Sequence, residues 1–309
     1  MRLLVVNFHY FRDEKPKTGI YPVSSFDFKQ QLLQLGKYYR FISQNELCDW
    51  ISKKQLPSGN CCMITFDDGF KEHLCALDML KKMSIPAVFY VTTQPITESI
   101  AHDTHKLHFI YTKFKDEEIF SLLNERFEIN KYTFANKILD DEYRYDSVLK
   151  KKIKFFLNFV LSDSQRQEVV NYLFSLVVPN ERSFVKNLYM DKNDIIQLAR
   201  LGMLGTHTHT HRALSSLPTT EIKKEIHESI KTLEELTNTR IRSISYPFGG
   251  TAAVDQRVAN LAKQAGLTFG LTMNRGINED WHITDNMLLN RVDTNDAPGG
   301  KLKSLRYAL

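Results

Sequence analysis

The chain has 309 residues, 42% of them hydrophobic and 25% charged, with only 13 glycines and 9 prolines. This usage excludes disordered, collagenous and low-complexity classes and suffices for one large core or two small ones. Lysine and arginine number 41 against 36 acidic residues, a net charge of +5, which is too weak a basic balance for a nucleic-acid partner but suits an anionic small substrate.

The first apolar run, Leu3 to Val6, stops at Asn7. A membrane span needs about 20 residues and a signal-peptide core roughly 7 to 15, so the expectation is a cytoplasmic chain with no transmembrane segment. Strand periodicity covers Arg2 to Phe8. A helical pattern follows from Ser25 to its close at Gly36, then a short strand in YYRFIS, a strand from Cys61 to Phe66, a helix from Glu72 to Met83 and a strand from Pro86 to Val91. Cys48, Cys61, Cys62 and Cys75 lack CxxC spacing and read as reduced core thiols.

Residues 95–188 break this rhythm with amphipathic helical patterns such as VLKKKIKFFLNFVL and RQEVVNYLFSLV, and they read as a helical insertion. Its cluster Lys150, Lys151, Lys152 and Lys154 fits a solvated helix face better than a phosphate site. The alternation then resumes with a helix from Asp194 to Leu201, a strand from Met203 to Thr206 and a helix from Glu221 to Leu236 behind the cap residue Thr220. A strand from Ile241 to Tyr246, a helix from Val254 to Ala265, a strand from Leu267 to Thr272 and an apolar run from Met287 to Val292 complete it. Repeated β-α units imply an α/β fold with a parallel sheet, long enough to close into a barrel over residues 1–94 and 189–309.

Two segments at predicted strand ends carry chemistry. In Thr65-Phe66-Asp67-Asp68-Gly69 the adjacent carboxylates point different ways, so one can bind a metal while the other accepts a proton; alternatively an aspartate caps the helix that follows. In Gly205-Thr206-His207-Thr208-His209-Thr210-His211 three of the chain's ten histidines fall within five residues, and imidazole is a favoured zinc ligand. On an extended strand His207 and His211 would stand about 13 Å apart. Either His207 and His209 form a pair on the strand, or the backbone coils and joins His207 to His211.

TFDDG followed by this histidine segment resembles the first two motifs of the polysaccharide deacetylase, or NodB-homology, family of carbohydrate esterases. The similarity covers about residues 1–94 and 189–295. It implies a distorted (β/α) barrel that removes acetyl groups from sugars with a divalent metal, most often zinc, though Co, Ni, Mn or Fe would also fit two imidazoles and a carboxylate. Carried over by position, Asp67 is the general base, Asp68, His207 and His211 hold the metal, and His209 is a neighbour of the ion.

Ser245-Tyr246-Pro247-Phe248-Gly249 resembles the third motif, which implies that the Phe248 amide supports the oxyanion. Ser245 stands where the family usually has an arginine that orients the base, and Arg291 in LLNRVD is the candidate replacement. The last motif's histidine, the general acid, has no clear match; His282 and His9 are the available imidazoles. Asp280-Trp281 resembles the fourth motif loosely, with Trp281 a sugar platform or core. The expected substrate is an N-acetylated saccharide, nucleotide- or lipid-linked, used in lipopolysaccharide or capsule synthesis. The competing expectation is a barrel that binds metal and glycan without turnover.

Overall fold

The computed structural model describes residues 2–55, 58–132, 147–279 and 285–300. Two compact units emerge, one from Met1–Glu14, Pro22–Ile100 and Val185–Leu309, the other from Lys15–Tyr21 and Ala101–Phe184.

The first unit is built on strands β1 (Arg2–Phe8), β2 (Arg40–Phe41), β3 (Asn60–Phe66), β4 (Ala87–Val91), β5 (Leu204–Thr206), β6 (Ser243–Ser245), β7 (Phe269–Leu271), β8 (Asn278–Glu279) and β9 (Val292–Asp293). They form one sheet in the order β7-β6-β5-β4-β3-β1-β8, with β2 on β3 and β9 on β1. Every pairing is parallel except β1 with β8. Leu289 bridges Leu271 while Val292 pairs with Val6, so the segment 289–293 reaches from β7 back to β1 and the sheet curls into the distorted barrel expected for a NodB-type fold.

Parallel strands covered on both faces read as continuous apolar runs, as β1 and β3 do. Alternate residues then separate into two cores. Leu3, Val5, Met63, Val88, Phe269 and Leu271 pack together on one face, and Leu4, Val6, Ile64, Phe66 and Phe89 meet the helices on the other. Helix Thr219–Thr237 buries Ile222, Ile226 and Leu233 against that second core. It starts at Thr219 behind Pro218 and has no side-chain cap, so the expected cap at Thr220 is corrected: a proline suits the helix entrance, where its missing N–H costs nothing. The strand expected in YYRFIS contracts to Arg40–Phe41, because only those residues meet β3.

The second unit is helical among its described residues. Asp103–Lys113, Asp116–Phe127, Val148–Phe155 and Asp163–Ser175 share a core of Ile110, Leu123, Ile153, Val170 and Leu173. Its strap Lys15–Tyr21 lies against the first of these helices. A Cβ on Gly19 (φ +82°) would meet the His108 carbonyl at 2.7 Å, and Thr18 donates to the Tyr111 carbonyl at 2.7 Å. No helix among the described residues is long and apolar enough to cross a membrane.

Candidate metal and hydrolytic site

At the end of β3 the Asp67 amide still donates to the Phe8 carbonyl at 3.1 Å. The backbone then swings through left-handed conformations at Asp68 (φ +79°) and Gly69 (φ +69°). The turn needs the glycine, since a Cβ there would stand 3.0 Å from Val91 Cγ1. Helix His73–Met83 begins behind Glu72 with no side-chain cap, so neither aspartate is spent on capping it. Both are buried, Asp67 at 2% and Asp68 at 4% exposure. A charge so enclosed requires partners.

For Asp67 the partners are explicit. Arg291 Nη1 donates to Oδ1 at 3.0 Å and Nη2 lies 2.9 Å from Oδ2, while Asn7 Nδ2 donates to Oδ2 at 3.1 Å. Arg291 is fully buried. Its Nε donates to the Thr272 carbonyl and its Nη2 to the Ser245 hydroxyl, each at 2.8 Å. The serine in the place of the motif arginine thus accepts a hydrogen bond from the arginine that immediately precedes β9. Burial alone would raise the Asp67 carboxyl, but Arg291 and then His207 outweigh it and hold the group at about 2.

Beyond Thr206 the histidine segment coils instead of extending. Thr208 and His211 take left-handed conformations at φ +67° and +59°. His207 Nε2 and His211 Nε2 both approach Asp68 Oδ1, at 3.5 and 3.2 Å. One ligand atom from each of Asp68, His207 and His211 lies within 4.8 Å of the others. His207 Nδ1 stands 2.7 Å from the Ser245 carbonyl, which only accepts, so Nδ1 carries a proton and Nε2 is the nitrogen turned toward Asp68. Burial lowers the imidazole's pKa, but the Asp67 and Asp68 carboxylates outweigh it and raise it. His209 turns elsewhere: Nδ1 bonds Thr93 Oγ1 at 2.8 Å, and Nε2 lies 3.2 Å from Glu98 and 3.5 Å from Glu228. Of the two arrangements open to the sequence, the protein adopts the coiled one. The donor set, one carboxylate and two imidazoles, fits zinc or a related divalent ion.

Phe248 forms the rim. It sits at φ +61°, is 50% exposed, and meets the His211 ring edge-to-face at 5.1 Å. Its N–H donates to no group among the described residues. His9 is half-buried next to β1, within electrostatic reach of Asp67, and its carbonyl accepts from His73 Nε2 at 2.6 Å. His282, with Asp280 and Trp281, lies outside the described residues. Sequence reasoning missed Asn7 and Glu225. The one signal for Asn7 was a polar residue interrupting the buried apolar run of β1.

A family model described as polysaccharide deacetylase matches residues 147–270, a stretch that holds the His207–His211 loop and the Ser245–Gly249 turn but not Asp67 and Asp68. The family resemblance holds. Solved structures with this deacetylase fold include the deacetylase PplD of Streptococcus pyogenes in complex with acetate, at 17% identity, TM-score 0.54, and coverage of 95% of this chain and 92% of that one. IcaB from Ammonifex degensii matches at 16% identity and TM-score 0.59, covering 96% and 94%. A de-N-acetylase from Aggregatibacter actinomycetemcomitans matches at 12% identity and TM-score 0.59, covering 94% of each chain. At such identities these likenesses establish the fold, which is that of the NodB-type deacetylases. No curated protein matches the sequence.

Proposed function

We propose that this chain is a metal-dependent hydrolase that removes an N-acetyl group from a sugar. The observation that carries the reading is the meeting, at the carboxyl ends of β3 and β5, of a three-residue metal donor set with a separate carboxylate held ionised by a buried arginine. The deacetylase family match and a fold shared with PplD and a de-N-acetylase support it.

Asp68, His207 and His211 would hold the ion. When bound there, such an ion would supply Lewis acidity for the acetyl carbonyl and for a water, which suits a base of low proton affinity. Asp67 is ionised at neutral pH, and its carboxylate orients that water and takes its proton. The Phe248 N–H donates to the oxyanion as it forms, an interaction typically worth a few kcal/mol. His9, within electrostatic reach of Asp67, is one candidate to protonate the departing amine, and His282 is the second. The half-exposed Phe248 ring offers an apolar face to a pyranose at the rim.

The test is acetate release from a broad panel of N-acetylated saccharides and sugar nucleotides by zinc- or cobalt-loaded protein. Asp67→Asn should lower the rate by about 10³-fold while metal binding persists, and chelation should abolish it reversibly. A metal-loaded wild type inert across the panel would replace the enzyme with a barrel that only binds metal and glycan.

A further inference from the structure

An extended strand would hold His207 and His211 about 13 Å apart, yet their ligand atoms lie within 4.8 Å of each other and of Asp68. Something must keep the intervening residues coiled through the left-handed conformations of Thr208 and His211. Conformations of this kind are strained for residues with a side chain and persist only where the surroundings enforce them. The coil also turns the amides of His209 and Thr210 away from any strand partner, and successive N–H groups pointing together make a concavity that attracts an anion.

That anion is a side chain. Glu225, on helix Thr219–Thr237, is 6% exposed. Its Oε2 accepts from the His209 amide at 3.2 Å and the Thr210 amide at 2.8 Å, and its Oε1 accepts from the Thr210 hydroxyl. One turn further along the helix, Ser229 accepts from the Thr206 hydroxyl at 2.8 Å, so an i, i+4 pair of polar residues grips both sides of His207. From the opposite side Thr93 and Glu98 engage the His209 ring.

We propose that Glu225 is the positioning residue of the metal loop: its carboxylate, bound to the amides of His209 and Thr210, coils the segment and brings His207 and His211 together before any ion arrives. The inference deepens the proposed function and rests on it for its consequence, metal affinity, but not for its cause, the shape of the loop. Glu225 itself contacts no reactant. Its role is to set the separation of two ligands.

Two readouts test this on the full chain. Hydrogen exchange over residues 206–212 in metal-free protein should be slow in wild type and at least tenfold faster in Glu225→Ala, with exchange in β1 and β3 unchanged. Competition with a chromogenic chelator should show zinc or cobalt bound about 10- to 100-fold more weakly by Glu225→Ala. Glu225→Gln, which keeps one oxygen for the two amides and presents an amide group to the Thr210 hydroxyl, should recover much of that loss. Exchange in Glu225→Ala as slow as in wild type overturns the proposal, and so does faster exchange with unchanged metal affinity. Should Glu225→Ala not fold, Glu225→Gln and Thr210→Val replace it, each expected to weaken binding a few-fold, and wild-type affinity in both is the overturning result. A wild type that binds no divalent ion defeats the proposed function, while the exchange arm still judges the clamp.

Discussion

At the end of β3 the sheet carries the chain straight into Asp67, whose amide continues the ladder to Phe8, and the side chain is then fixed by charge, through Arg291. At the end of β5 a strand of three residues stops at Thr206, and the next five are fixed chiefly through their backbone, by the Glu225 carboxylate on two amides, with the hydrogen bond of the His209 ring to Thr93 beside it. The first arrangement tolerates error in position but not in charge. The second tolerates loss of charge better than loss of shape, because what Glu225 supplies is a pair of acceptors. A hydrolytic centre with a separate base and metal site needs both, since a base works through its ionisation and a ligand set through its spacing.

The sharpest way to break this contrast is to remove the cation. Arg291→Met leaves Asp67 buried with only Asn7 as donor, and removing one partner of a buried pair typically costs about 3–5 kcal/mol. Urea unfolding of Arg291→Met against the Arg291→Met/Asp67→Asn double variant measures it. The double variant should regain a large part of the loss, because an uncharged amide needs no countercharge. If the single variant loses under about 1 kcal/mol, charge is not what holds this corner.

A smaller effect should come from the histidine beneath the same corner. His73 lies among Phe66, Phe70 and Phe89 and gives Nε2 to the His9 carbonyl. Burial lowers it from an ordinary 6.5 to about 4. Between those values the unfolded chain binds the proton and the folded chain does not, so stability is complete above pH 6.5 and drains away as the pH falls toward 4. The contribution lost is about 2 kcal/mol at pH 5 and about 3 kcal/mol by pH 4. Unfolding midpoints measured from pH 7 to 4.5 should show that slope in wild type and a flatter one in His73→Gln, which keeps a donor for the His9 carbonyl but does not titrate. Equal slopes would show that His73 charges freely in the folded protein.

The contrast also explains what the sequence could disclose. Alternating β-α units and covered apolar strands announced the barrel, because periodicity is local. Asp67, Asp68 and the histidine triplet were visible because their residue types are rare in such clusters. Whether His209 or His211 joined His207 was not decidable from spacing, because the answer lies with Glu225 and Thr93, remote from the loop on one side and on another element altogether. Arg291 was singled out only because Ser245 left a gap in a motif. Asn7 reaches Asp67 across 60 positions, and a lone buried asparagine at a strand end has too many structural uses for any local pattern to reveal that one.

Ser245 offers the finest adjustment of the comparison, because it touches both halves of the site. Its carbonyl accepts from His207 Nδ1 and its hydroxyl accepts from Arg291 Nη2. Ser245→Ala removes only the second contact, and the same arginine nitrogen keeps its approach to Asp67 Oδ2 at 2.9 Å. A neutral hydroxyl lost from a buried guanidinium costs about 1–2 kcal/mol, so the unfolding midpoint should fall modestly while metal affinity stays at the wild-type value, the His207 carbonyl contact being intact. If instead metal affinity falls with stability, the guanidinium and the imidazole pair are mechanically linked through β6, and the base and the ligand set are one unit rather than two.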